Sequence, residues 1–295
     1  IWEDKKCSTW NKTNKMKNKE HIVVKDHFLT QEEFVLIKDP YTNMLRTTPK
    51  PSEGELVKYY ESLDYASHNS SKKTFFTQLY FIARAFSMWP KILMISKYFE
   101  TPKKALDVGS GSGSFVKALT KKGWNAVGYE PNVKARAQAE KEGVVHITSL
   151  NNVGSSEYDL ITFWHSLEHV FFLEDILKKT IKGLNKNGMI IIACPNYRSW
   201  DARHYNSFWA AYDAPRHLRH FAPDSLKKIL TPTGMRQINQ WPLLLDAIYI
   251  SMLSEKNLKN RFWFIKGLAC GLYSNIVGFL NKNYSSHIYL FKKML

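Results

Sequence analysis

Between residues 103 and 241, short apolar runs alternate with stretches in which apolar residues recur every three or four positions. The runs fall at 104–108, 125–130, Val144-Val145-His146-Ile147, 158–163, 189–193 and 235–241. The helically spaced stretches fall at 113–122, with Phe115, Val116 and Leu119 on one side, and at 132–142, 173–184 and 223–231. Short runs without strict alternation predict strands covered on both faces. Strands separated by helices predict a parallel, doubly wound α/β sheet. Asn132 stands where an N-cap is expected, and Asn185–Gly188 reads as a turn.

The flanks read differently. Residues 52–61 predict a helix, with Ser52 and Glu55 at capping-box spacing. Over 72–99, Phe76, Leu79, Tyr80, Ala83, Phe86 and Met88 recur at roughly helical spacing. That stretch predicts a cover for the sheet edge or ligand cleft, in preference to a membrane- or RNA-facing surface. After Trp241 comes an aromatic helical stretch, 243–281, and then a last strand-like run, His287–Phe291. Residues 1–51 hold two further strand-like runs, Ile22–Val24 and Phe34–Ile37, behind a Lys-, Asn- and Thr-rich start. The chain thus divides into an N-terminal appendage (1–51), a helical cover or lid (52–100) and an α/β domain (101–295) with a helical insertion at about 243–281.

Composition changes this picture in three places. With 44% hydrophobic residues in 295, the chain can bury a full core. A formal net charge of +16 attracts nucleic acid, anionic membrane or acidic substrates without selecting among them. Cys7, Cys194 and Cys270 are too scattered for a disulfide framework or a metal cluster, so a reducing, cytoplasmic setting is expected. The chain starts at Ile1, which leaves a longer native N-terminus open, and shows no basic segment followed by an apolar one of the signal-peptide kind. Residues 262–280 are the nearest approach to a membrane span. Lys266, Ser274 and Asn275 interrupt them, so a partly buried helix is expected and no transmembrane segment.

Candidate chemistry concentrates in KALDVGSGSGSFVKALTKKGWNAVGYEP, residues 104–131. Strand, glycine loop, helix, strand and terminal acid follow one another. Glycines at 109, 111 and 113 let the backbone turn tightly and approach a ligand closely. The acid Glu130, at the tip of the second strand, can accept hydrogen bonds from ribose hydroxyls. The spacing Asp107-x-Gly109-x-Gly111-x-Gly113 differs from the dinucleotide pattern G-x-G-x-x-G. Asp107 would repel a pyrophosphate and suits a ligand bearing an ammonium group. A dinucleotide-dependent oxidoreductase is disfavoured by that spacing and by Asp107, and no catalytic Tyr-x-x-x-Lys pair supports it.

This stretch resembles motif I of the class I S-adenosylmethionine (SAM) methyltransferases, and Glu130-Pro131 resembles their strand-two acid. The resemblance implies a Rossmann-like, mainly parallel seven-stranded sheet with an antiparallel last strand at about 287–292. It implies SAM as cofactor, with S-adenosylhomocysteine as product. The cofactor would be held by Asp107, Gly109, Ser110, Gly111, Gly113, Glu130, Pro131 and Leu150, with Trp164 and His165 at its methionine end. The run Trp164-His165-Ser166-Leu167-Glu168-His169-Val170 resembles a W-H-x-L-E-H-V segment in a bacterial group close to the ubiquinone-type O-methyltransferases. It implies that Glu168 and His169 face the substrate. In those relatives the segment reads E-x-L-E-H and is associated with a metal. Here His165 replaces the first acid, so no metal is expected at His165, Glu168 and His169.

Asp213-Ala214-Pro215-Arg216-His217-Leu218-Arg219-His220-Phe221 resembles the D-x-P-R-H-L-x-H-F segment of the same group and implies substrate-side loops. Asp213, Arg216 and Tyr197 join Glu168 as candidate substrate contacts, Arg216 as a bidentate partner for carboxylate or phosphate. His217, His220 and His169 are the candidate proton acceptors. The alternative is that Arg216 and the histidines only tie the loop to the sheet. Relatives also open with a zinc ribbon, C-x-x-C … C-x-x-C-G. Here Cys7-Ser8-Thr9-Trp10 and Asp39-Pro40-Tyr41-Thr42-Asn43 stand in its place, which implies either a degenerate ribbon that cannot hold zinc or a floppy basic tail able to bind anionic surfaces non-specifically. The expected reaction is methyl transfer to a small-molecule or sugar- or lipid-linked acceptor, most simply at oxygen. The alternative function is a basic RNA- or ribosome-binding component of the same fold with weak or vestigial transfer. Neither the acceptor nor the oligomeric state is legible.

Overall fold

The computed structural model describes residues 21–60, 88 and 90–294. Both the first pair of the expected degenerate ribbon, Cys7 to Trp10, and most of the expected cover helix over 72–99 lie outside these residues. The chain begins with β1 (His21–Lys25), β2 (Glu33–Lys38), β3 (Leu45–Thr48) and α1 (Glu53–Tyr60). Next come β4 (Lys104–Val108), α2 (Ser114–Thr120), β5 (Asn125–Tyr129), α3 (Val133–Lys141), β6 (Tyr158–Trp164), α4 (Leu173–Gly183) and β7 (Leu184–Pro195). It ends with α5 (Trp200–Tyr205), β8 (Arg219–His220), α6 (Pro223–Leu230), β9 (Met235–Pro242), α7 (Leu244–Asn257), α8 (Trp263–Asn281) and β10 (Ser286–Lys293).

The main sheet has the order β5-β4-β6-β7-β10-β9. Its first four strands pair in parallel, and β10 runs antiparallel between β7 and β9. The antiparallel last strand is therefore as expected. The strand count is six among the described residues, where seven were expected. The run Val144–Ile147 contributes a single parallel bridge, Gly128 to His146. Its alternate side chains have unlike surroundings: Val144 is buried beneath Gly113, whereas Val145 is exposed. The Asn185–Gly188 turn also becomes part of a strand. Tyr158 pairs Leu184 while Leu160 pairs Met189, so the extra residues bulge out of β7 without ending it.

Alternation along the parallel strands sorts the core into two layers. Leu106, Val108, Ile161, Phe163, Ile190 and Ile192 face α4 and α6. Ala105, Leu160, Ile191 and Ala193 face Phe115, Val116 and Leu119 of α2. Both capping signals hold. Asn132 Oδ1 accepts from the Lys134 and Ala135 amides. Ser52 and Glu55 bond each other's backbone amides reciprocally.

The N-terminal strands are joined to the domain. β1, β2 and β3 form an antiparallel sheet whose fourth member is β8, with Leu45 opposite His220 and Arg46 opposite Arg219. In this N-terminal sheet, carboxylates organise the turns. Asp26 accepts from the Phe28, Leu29 and Thr30 amides, and Asp39 from those of Tyr41 and Thr42. The sheet thereby docks on the Asp213–Phe221 loop.

Candidate active site

The parallel strands deliver their carboxyl ends to one edge, where ligands bind in open α/β sheets. Gly109, Gly111 and Gly113 all have positive φ, at 77°, 53° and 67°. A methyl group added at Gly109 would meet Ser166 Cβ at 2.4 Å, and one at Gly113 would meet Val144 at 2.5 Å. At Gly111 it would meet nothing within 4 Å, so the loop's open side lies there. Glu130 Oε2 accepts from the Gly111 amide and Oε1 from the Asn132 amide. The carboxylate is thus fixed beside the loop with lone pairs left for hydroxyl donors. Asp107, at the end of β4, accepts from Thr162 Oγ1 at 2.7 Å. Open glycine backbone and two fixed carboxylates, one for hydroxyls and one for an ammonium, fit SAM.

Burial lifts the Asp107 carboxyl to about 6, with Glu130 adding to the rise while Thr162 and Lys91 oppose it. A carboxylate that binds an ammonium must be ionised. SAM affinity is therefore expected to weaken about tenfold per pH unit below about 6 and to be level above it. Titrations across that range, with Asp107→Asn as the flat control, check the sign.

Other residues of the expected cofactor set are placed unevenly. Ser110 Oγ meets His146 Nε2, and Pro131 is exposed beside Glu130. Leu150 sits in the core cluster, in the turn capped by Ser149. Trp164 packs edge-on to Phe115, and Lys91 Nζ lies 4.1 Å from the Trp164 ring centroid. His165 has φ 51° and turns to Asp246 of α7, Nε2 to Oδ2 at 3.1 Å. Its Nδ1 lies 3.5 Å from Glu168 Oε1. Burial would lower this imidazole, but the Asp246 and Glu168 carboxylates outweigh it and raise it to about 10. His165 is therefore a cation at neutral pH. Its link to the insertion was invisible in sequence, because the two residues share no local pattern.

Behind His165 lies a cluster of Glu168, His169 and His217. Each offers one atom within 4.8 Å of the others. Ring centroids of His169 and His217 are 4.5 Å apart. Glu168 is buried, and neither carboxylate oxygen has a hydrogen-bond partner among the described residues. Burial would raise its carboxyl, yet His165, His217 and His169 together hold it at about 2. Burial and the repulsion of His217 push His169 down to about 4. Three N/O atoms at this spacing could ligate a divalent transition ion. The set differs from the one weighed in sequence, since His217 takes the place of His165.

Tautomers follow from the acceptors. His217 Nδ1 lies 2.8 Å from the Ala211 carbonyl, which can only accept, so Nδ1 carries the proton and Nε2 keeps its lone pair. His220 is different. Thr47 Oγ1 donates to the His217 carbonyl, so it accepts from His220 Nε2–H at 3.2 Å. Burial, helped by repulsion from His217, holds the His220 ring at about 3. That ring ties β3 to β8 through Nε2.

Arg216 departs furthest from expectation. It is 1% exposed, and its guanidinium donates to Asp26, Asp213 and the Tyr59 carbonyl. Four of its five N–H donors are taken by these partners, so it anchors the N-terminal sheet to the loop and presents no open fork to a substrate carboxylate or phosphate. Asp213 is the other half of that pair. Tyr197 donates to the Asn43 carbonyl and serves the same junction. Sequence had offered this tying role as the alternative, but Asp26, 190 residues away, gave no signal.

Comparison with known proteins agrees with this geometry. A family model described as a methyltransferase domain matches residues 81–240. The chain is 27% identical over 172 residues to a ubiquinone biosynthesis O-methyltransferase of Idiomarina loihiensis, covering 53% of this chain and 71% of that protein. It is 24% identical over 183 residues to the Rickettsia akari protein of the same name, covering 52% and 72%. Among solved structures, a chain of the Haloferax volcanii complex between the Trm112 methyltransferase activator and its methyltransferase superposes with a TM-score of 0.53. That match has 10% identity and covers 71% of this chain and 91% of that one, so it speaks for the fold alone. With the family match spanning more than half of the sequence and the glycine loop and its two acids in place, the chain belongs to the methyltransferase-domain family and is a SAM-dependent methyltransferase.

Proposed function

We infer that the enzyme methylates an oxygen of a small-molecule, sugar-linked or lipid-linked acceptor, with His217 as the proton acceptor. The observation supporting this is the His217 imidazole, its Nδ1–H fixed on the Ala211 carbonyl and its ring a member of the cluster that contains the Glu168 carboxylate. Asp107, Gly109, Ser110, Gly111, Gly113 and Glu130 would hold SAM, with Trp164 and His165 toward its methionine end. When bound, SAM supplies a methyl group already activated by its sulfonium.

The chain's own residues then have three tasks: aligning the acceptor, excluding water and removing the hydroxyl proton. His217 Nε2 takes that proton. The buried Glu168 carboxylate, already held ionised by the His165 cation 3.5 Å away, stabilises the resulting imidazolium. An amine acceptor would bring its own lone pair and make less use of such a base. His169 lies edge-on to His217 and restricts its ring. Cys194 and Cys270 are free thiols, consistent with a cytoplasmic setting.

His217→Ala is expected to lower turnover of a hydroxyl acceptor by about 10²–10³-fold. SAM affinity should stay within about twofold, because His217 belongs to none of the cofactor contacts. Single-turnover transfer from labelled SAM together with calorimetry separates the two effects. Undiminished turnover in the variant would remove His217 from its role.

A further inference from the structure

Helix α8 is assembled inside out. Its inward face is Gly267, Gly271, Ser274 and Gly278, while Ile265, Leu268, Leu272, Ile276, Phe279 and Leu280 point away from the protein. Leu280 is 76% exposed and Ile265 67%. The glycines allow the backbones of α7 and α8 to touch: a methyl group at Gly267 would lie 2.5 Å from Met252 Cα, and one at Gly271 2.4 Å from Ile248 Cα. Asn275 Nδ2 donates to the Leu244 carbonyl, so the two helices run antiparallel in contact from Leu244 to Met252. Leu244 and Leu245, both exposed, extend the apolar face at that end. An unbroken apolar face of this size on a soluble domain marks an interaction surface.

We propose that this face of α8, with Leu244 and Leu245, docks onto an anionic lipid bilayer, the helix lying in the plane of the interface. Two observations select this occupant. From Lys256 to the end of the sequence there is no acidic residue, and Lys256, Lys259, Arg261, Lys266 and Lys282 lie at or near the ends of α8. Basic residues around an apolar helical face fit an anionic lipid surface. A second copy of the chain docked on the same face would bring the same cations together. Trp263 and Tyr273, on the same helix, suit the headgroup level.

Orientation follows from packing. At 19 residues α8 is about 28 Å long and apolar enough to cross a bilayer. However, its glycine face is fastened to α7, which buries Ala247, Ile250, Ser251 and Ser254 in the domain and sends Asp246 to His165. α7 cannot leave the fold, so α8 presents one face only. The inference does not depend on which acceptor is methylated.

Flotation of the full chain with phosphatidylcholine vesicles, with and without about 30% phosphatidylglycerol, tests it. The wild type is expected to float with the anionic vesicles. Leu272→Gln/Ile276→Gln/Phe279→Gln should reduce its partitioning at least about tenfold while leaving SAM affinity unchanged. Leu280→Asp, a single exposed change, should act in the same direction. Three results would overturn the proposal. One is a wild type that stays with the unbound fraction. Another is a triple variant that floats as well as the wild type, which would assign lipid binding to the general basic charge. The third is a stable dimer, seen by light scattering without vesicle binding and dissolved by the triple variant, which would assign the face to a second copy.

Discussion

Gly109→Ala is expected to abolish SAM binding, raising Kd by at least about 100-fold, or about 2.7 kcal/mol. Two penalties act at once. The residue sits at φ 77°, where a side chain costs about 1–2 kcal/mol. Its Cβ would also lie 2.4 Å from Ser166 Cβ. Ser166 cannot retreat freely, because its Oγ donates to the Val108 carbonyl at 2.6 Å and so clasps the end of β4. The loop must move, and with it the Gly111 amide and the Glu130 carboxylate that bonds it. Gly111→Ala separates binding from folding. Its Cβ would meet no protein atom within 4 Å, so it carries only the left-handed backbone cost at φ 53°, about 1–2 kcal/mol, and the fold should hold while the added methyl occupies the open side of the loop. Calorimetric titration with thermal melts of both variants distinguishes loss of the site from loss of the protein.

Arg216→Ala is expected to cost about 3–5 kcal/mol of stability, because it strands the Asp26 and Asp213 carboxylates without their cation. Tm should fall by roughly 6–15 °C. Arg216→Lys should not rescue it, since one ammonium cannot reach Asp26, Asp213 and the Tyr59 carbonyl as the planar guanidinium does. The pH dependence has a definite sign. Burial would raise both carboxyls, but Arg216, with the Thr30 hydrogen bonds at Asp26 and His217 at Asp213, holds them below their ordinary value. A carboxyl depressed in the folded state contributes stability above about pH 4, and that contribution disappears as pH falls through its folded pKa. Wild type should therefore lose stability steeply in acid, and Arg216→Ala should start lower and fall less. Equal acid slopes in the two proteins would show that the pair is not ionised as drawn.

Sequence carried the parts of this molecule that are local. The 104–131 unit is legible because strand, glycine loop, helix and acid lie within one supersecondary element, and the structure reproduces it with Lys104–Val108, Ser114–Thr120 and Asn125–Tyr129. Caps at Ser52 and Asn132 were legible for the same reason. Contacts between distant segments were not. Asp26 with Arg216, Asp246 with His165 and β3 with β8 depend on tertiary placement that periodicity does not encode. Val144–Ile147 has the composition of a strand, yet pairs through a single bridge at the edge of β5. Residues 243–281 were read as helical and hold two helices, Leu244–Asn257 and Trp263–Asn281, but which face of α8 is buried was unexpected. Its small residues turn inward, and its length and apolarity reveal nothing about that choice.

The central claim is that the glycine loop and its two carboxylates form a working SAM site. Isothermal titration of the full chain with SAM and S-adenosylhomocysteine, near neutral pH and at two salt concentrations, tests it most directly. The structure predicts one site per chain with micromolar affinity, little changed by salt, and lost in Gly109→Ala. A folded protein that takes up neither ligand would contradict the claim and leave the Glu168–His169–His217 cluster without a methyl donor to serve.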